Sequence, residues 1–136
     1  MAEGGSLGNV TTRVVISHAV GLCLAGITDT MGTTAGVSLG SAGFGLCFGG
    51  LLSAPWIGTL GLLIWFKGLA IDAHPIAFAA LGPVLVVGSY VLLLGSGGFE
   101  REVATSSISS SIVYLALVFA NRFLADRRRA RSRPSR

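Results

Sequence analysis

Two ionisable side chains, His18 and Asp29, lie in or beside the first apolar run of the sequence. A helix turning about 100° per residue returns both to one face, about 16 Å apart along its axis. Ionisable groups inside a membrane are costly and often mark ion or proton pathways. One interpretation of the pair is a polar pathway on the first helix of a small transporter or channel. We favour the other interpretation, in which Asp29 ends the helix in the interface and His18 hydrogen-bonds to a neighbouring helix, because Asp29 falls at the predicted end of the helix.

The rest of the chain offers few groups for catalysis. It contains two histidines and six acidic residues, mostly at the edges of apolar runs. Asp72 and His74 share one turn, but two ligands are too few for a metal site. Cys23 and Cys47 have apolar neighbours and form no CxxC motif, and neither a phosphate loop nor a dinucleotide fingerprint occurs. The sequence predicts a protein without enzymatic activity, catalytic residue, metal or cofactor.

The elements that position these groups are apolar runs. Residues 45–66 carry no charge and are long enough to cross a bilayer core of about 30 Å as a helix. Only 12% of the chain is charged and the mean hydropathy is +0.75, whereas soluble domains are about 25% charged. We therefore predict an all-α membrane protein, a small bundle of four transmembrane helices. The predicted spans are residues 12–29, 45–66, 75–95 and 106–125.

A fifth span is the alternative. Residues 31–44 are uncharged but weakly apolar, so they form either a loop before a long helix or part of a separate span, 32–52. In the second case Ser53 and Pro55 suit the start of the next helix. We favour four helices because that arrangement puts Arg13 on the same side as the basic C-terminal tail.

Glycines and serines recur every four residues in this region. Gly32, Gly36 and Gly40 form one series, and Ser41, Gly45, Gly49 and Ser53 form a second. On a helix such a series makes a smooth surface for a neighbouring backbone. The residues predicted to pack helices are Gly36, Gly40, Gly45 and Gly49. They favour a protein that acts by helix association, as a homo-oligomer or as a subunit of a membrane complex, over the transporter or channel.

The two ends of the chain differ in charge. Residues 1–11 are rich in glycine and are predicted to be disordered, whereas residues 126–136 form a basic tail. Such a localised charge indicates binding to anionic lipid headgroups rather than to a specific nucleic acid. It also predicts a cytoplasmic C-terminus in the plasma membrane of a prokaryote. The arginines expected at the membrane surface are Arg127, Arg128, Arg129 and Arg131.

Overall fold

The computed structural model of the protein describes residues 4–30, 39–95 and 98–131. Within these ranges the chain is almost entirely α-helical and contains no strand. Four helices follow one another along the chain: α1 (Gly4–Thr30), α2 (Leu39–Ala73), α3 (Pro75–Leu94) and α4 (Glu100–Arg131). Each is long and apolar enough to cross a membrane. The predicted four-helix arrangement is therefore found over the described residues.

The boundaries of α3 follow from the residues that flank it. Pro75 occupies the first turn, where its missing N–H costs no helical hydrogen bond and its fixed φ suits the helix. Gly95 ends the helix with φ of 69° and donates its N–H to the carbonyl of Val91 at 3.0 Å. A left-handed backbone of this kind strongly favours glycine. The connection from α2 to α3 is consequently a single residue, His74.

One long helix, α2, covers the region for which the sequence left two structures open. It has 35 residues, continues through Pro55 and departs from helical geometry at Lys67, with φ of −129° and ψ of 15°. The described part of the possible extra span 32–52 belongs to this helix, so it is not a separate element. Residues 31–38 lie outside the described ranges. A helix of this length exceeds the bilayer core of about 30 Å, and the bend at Lys67 redirects the six residues that follow it.

The helices are arranged in the order α2, α1, α4, α3, with α1 inside. α1 packs along both α2 and α4, α3 packs mainly on α4, and α2 meets α3 only sparsely. In the apolar 18-residue stretch of each helix, 44% of the residues are buried in α1 but only 6% are buried in α2. The main core cluster comprises Val10, Val14, Ile64, Ile71, Ala79, Tyr114 and Val118. α1 is therefore the most buried helix and packs between α2 and α4, while α3 is joined to the bundle mainly through α4.

Two boundaries differ from the sequence-based expectations. α1 begins at Gly4, so the helix covers most of the segment 1–11 that was expected to be disordered. Val10, inside that segment, is fully buried in the core. α4 extends to Arg131, well past the predicted end of the last span at residue 125. Burial of Val10 against other helices, which periodicity along one segment does not reveal, favours helix at this position.

Candidate functional site

The contact between α1 and α2 is built from the second series of small residues. Gly45 lies against Gly26, and a Cβ added at Gly26 would come within 2.8 Å of the Gly45 Cα. One turn along α2, a Cβ at Gly49 would come within 2.8 Å of Leu22 Cδ2. The two backbones approach so closely because neither position carries a side chain. Gly45 and Gly49 thus pack against α1 of the same chain.

His18 lies on the same contact, two turns before Gly26 along α1. Its Nε2 is 2.9 Å from Oγ of Ser53, and Ser53 also donates to the carbonyl of Gly50 at 3.2 Å. His18 is half-buried. The ring therefore joins α1 to α2 through one hydrogen bond, which is the arrangement expected of an interhelical structural histidine.

The structure leaves the predicted pairing of Asp29 with His18 untested. Both lie on α1, but His18 has its partner on α2, and Asp29 belongs to the last turn of the helix, which ends at Thr30. The Asp29 side chain lies outside the described residues, as do Gly36 and the side chains of Arg128, Arg129 and Arg131. The polar pathway along α1 and the lipid contacts of these arginines therefore stay predictions.

A second polar cluster joins three helices at the opposite end of α1. Arg13 donates from Nη2 to Oδ1 of Asp72 at 2.8 Å, and Arg122 of α4 donates to the Asp72 carbonyl at 3.1 Å. The Arg13 side chain is 11% exposed, while the Asp72 carboxylate is 38% exposed. We call Arg13, Asp72 and Arg122 the basic end. It ties the start of α1 and the last third of α4 to the α2–α3 turn.

Sequence reasoning did not single out this cluster. Arg13 and Asp72 are 59 positions apart, and each lies at the boundary of an apolar run, where a charge is usually solvated. One signal was available: in four alternating helices the start of the first and the turn after the second lie on the same side. Opposite charges at those two places are therefore candidates for a pair.

Two serines in the first half of α4, Ser106 and Ser110, face α1. A Cβ added at Gly21 would collide with Oγ of Ser110 and would lie 2.5 Å from the Ser106 carbonyl oxygen. Ser110 donates to that carbonyl at 2.7 Å, and Ser106 is buried. The small serines therefore allow α4 to approach α1 closely, as the glycines do for α2.

The other side of α2 carries a second row of small residues, which we call the outer face. At about 100° per residue its members fall within one quarter of the helix circumference, opposite the residues that contact α1. Extra Cβ atoms at its glycines 43, 50, 58 and 61 would meet nothing within 4 Å. Gly40 lies on the same side and is exposed. The members of the outer face are Gly43, Cys47, Gly50, Ala54, Gly58 and Gly61.

Neither a catalytic constellation nor a metal site emerges from the described residues. No three side chains of His, Cys, Asp or Glu among them come together as a group that could hold a metal ion. Comparison of the chain with protein-family models, with curated proteins and with solved structures finds no match. The geometry of the two α2 faces and of the basic end therefore carries the functional argument.

Proposed function

We propose that the protein is an integral membrane protein that acts by self-association through the outer face of α2. The observation that carries this proposal is the row of four glycines whose added Cβ atoms would meet nothing. Glycine costs about 1 kcal/mol relative to alanine inside a helix. Contact with lipid tails needs no glycine, whereas close contact between two helix backbones does.

A second copy of the chain fits this face better than a lipid. In a bilayer, exposed leucines are no signal of association because lipid tails are equally apolar. A row of small residues differs, since it lets two helices approach and gain van der Waals contacts that fluid tails do not provide. The same principle already operates on the opposite side of α2, where Gly45 meets Gly26 of α1. The outer face extends from Gly43 to Gly61, about 27 Å.

Membrane location and orientation belong to the same proposal. Lys67, Arg122 and Arg127 lie at or near the basic end, and Arg127 stacks on the Phe123 ring at 4.5 Å. The opposite end carries Glu100 and Glu102 with one arginine, Arg101. The positive-inside rule therefore puts the basic end and the C-terminus in the cytoplasm, and we assign the protein to a prokaryotic plasma membrane.

Association is favoured over the transporter or channel by the partners of the ionisable groups. His18 and Arg13 both have interhelical partners, Ser53 and Asp72. A pathway would need such groups to face a continuous wet passage. At Gly21 and Gly26, α1 packs so closely against α4 and α2 that little room is left for a wet passage.

The test is the oligomeric state of Gly50→Leu and Gly58→Leu. Bulky side chains on the outer face should weaken dimers of the purified chain in mild detergent or bilayers by tenfold or more, which is about 1.4 kcal/mol. Gly88→Leu on α3 is the matched control, because its added Cβ also meets nothing within 4 Å. Sedimentation or energy transfer between labelled copies measures the dimer fraction. A monomeric wild-type chain, or equal association in all variants, would contradict the proposal.

A further inference from the structure

An apolar groove runs between α3 and α4, away from the outer face of α2. Its volume is 260 Å³, slightly below the lower limit of about 300 Å³ for pockets that enclose drug-sized ligands. Ser111 is the one polar residue that lines it. A narrow apolar groove of this kind suits one slender hydrocarbon chain. Apolar residues form the rest of the lining, among them Ile76, Ala80, Pro83, Ile108, Ile112 and Leu115.

The groove starts at the basic end of the molecule. Ile76 lies in the first turn of α3, directly after His74 and Pro75. Pro83, its deepest residue on α3, lies about 10 Å further along the helix. The groove therefore runs from the proposed cytoplasmic interface toward the middle of the bilayer, in the direction that a lipid tail takes.

Arg122 marks the interfacial end of this groove. It follows Leu115 by two helical turns, which puts it on the same face of α4, about 10 Å nearer the basic end. Its hydrogen bond to the carbonyl of Asp72 holds it beside the start of α3. Arg122 is exposed, and this bond uses one of the five N–H donors of a guanidinium, so others remain to bind a phosphate.

The start of α3 adds a second positive feature at the same place. His74, at the N-cap position, makes no side-chain hydrogen bond to the helix. The first N–H groups of a helix and the positive end of its dipole favour an anion. Charge at the mouth and apolar lining behind it thus match the two parts of a phospholipid.

We propose that the α3–α4 groove is a binding site for a phospholipid, with its phosphate at Arg122 and one acyl chain along Ile76, Ala80 and Ile112. The inference rests on the membrane location proposed above but not on self-association. It also differs from general attraction of headgroups by the C-terminal tail, because it predicts a defined stoichiometry and a dependence on the groove.

The experiment is a titration of the full chain in detergent, followed by native mass spectrometry, with three probes. These are phosphatidylglycerol, a diacylglycerol with the same acyl chains, and inorganic phosphate. We expect one phosphatidylglycerol per chain, with the other two probes binding at least about tenfold more weakly. Arg122→Gln should weaken phosphatidylglycerol about tenfold and leave the diacylglycerol unchanged, while Arg101→Gln, an exposed arginine on the same helix, should change neither.

A second pair of variants tests the groove without touching the arginine. Ala80→Leu fills the groove and should weaken both lipids, whereas Ala77→Leu on the exposed outside of α3 should not. This pair decides the question even if Arg122→Gln fails to fold, as checked by circular dichroism.

Two results would overturn the inference. Inorganic phosphate that competes with the lipid while Ala80→Leu has no effect would make the site one for a soluble anion. Equal behaviour of Arg122→Gln and Arg101→Gln would remove the headgroup site. Dimer fractions measured on the same samples separate these failures from failure of the proposed self-association.

Discussion

At the scale of single residues, charges at the ends of the apolar runs join helices. Arg13 is almost covered, yet its partner Asp72 keeps contact with solvent at 38% exposure. Asp72 serves both arginines, through its carboxylate for Arg13 and through its backbone carbonyl for Arg122. Loss of the carboxylate would leave Arg13 largely desolvated without that partner, which costs more than loss of an exposed ion pair.

The corresponding prediction concerns Arg13→Gln and Asp72→Asn. Each should lower the free energy of unfolding by about 1–2 kcal/mol, less than the 3–5 kcal/mol for a deeply buried pair because Asp72 is partly solvated. The double variant should lose less than the sum of the two, since each single change already removes the pair. Unfolding in mixed detergent micelles measures these values. Additive losses, or an equal loss in the exposed control Arg101→Gln, would show that the pair does not stabilise the fold.

At the scale of the helix, α2 has two rows of small residues with different environments. The row that contains Gly45 and Gly49 packs against α1, and the outer face has no neighbour within the described chain. Both rows are glycine-rich and lie in one uncharged stretch, so composition does not distinguish them. Their positions around the helix do, because only one side faces α1.

The two rows should therefore respond differently to the same substitution. Gly26→Leu and Gly45→Leu place a side chain against a backbone less than 3 Å away, which overpacks the contact and should cost about 1–3 kcal/mol. Gly50→Leu should not lower the stability of the single chain, because its side chain meets nothing and leucine has the higher helix propensity, but it should weaken association. Thermal unfolding at protein concentrations below dimer formation measures the difference, with Gly88→Leu as the neutral control. Equal midpoints for Gly45→Leu and Gly88→Leu would refute the assigned α1–α2 contact.

At the scale of the whole molecule, α1 is the most buried helix, and it is covered by α2 on one side and by α4 on the other. α2 and α3 diverge after the turn at His74, and Trp56 bridges them by donating its indole N–H to Oγ of Ser89 at 2.7 Å. The most extensive apolar exposure is on α2, and the groove lies between α3 and α4. The proposed protein contact and the proposed lipid contact therefore involve different sides and can operate together.

Topology supplies the prediction at this scale. Single cysteines introduced as His74→Cys and Arg127→Cys, with Cys23 and Cys47 replaced by serine, should react with an impermeant reagent from the cytoplasmic side. Phe99 lies between α3 and α4 and is 47% exposed. A cysteine introduced there, Phe99→Cys, should react from the other side. Labelling of intact and opened cells measures the sidedness. Reaction of His74→Cys and Arg127→Cys from opposite sides would exclude the four-span arrangement.

The sequence by itself determined the helical class, the approximate spans and the segregation of charge. Long uncharged runs such as residues 45–66 specify apolar helices because each helix satisfies its own backbone hydrogen bonds. Pro75 predicted the start of α3 from the sequence, because the fixed φ of proline suits the first turn of a helix and depends on no distant contact. Gly45 and Gly49 were predicted as packing residues from their spacing alone.

Tertiary structure alone decided which partner each group has. Spacing places Gly45 on a face, but whether α1 or another molecule covers that face depends on contacts between distant parts of the chain. Arg13 and Asp72 read separately as solvated interface charges, and only the antiparallel order of the helices brings them to 2.8 Å. Likewise the sequence suggested that His18 hydrogen-bonds to a neighbouring helix, but only the tertiary structure identifies the partner as Ser53 on α2. Periodicity is a property of one helix, whereas pairing depends on how two helices are placed relative to each other.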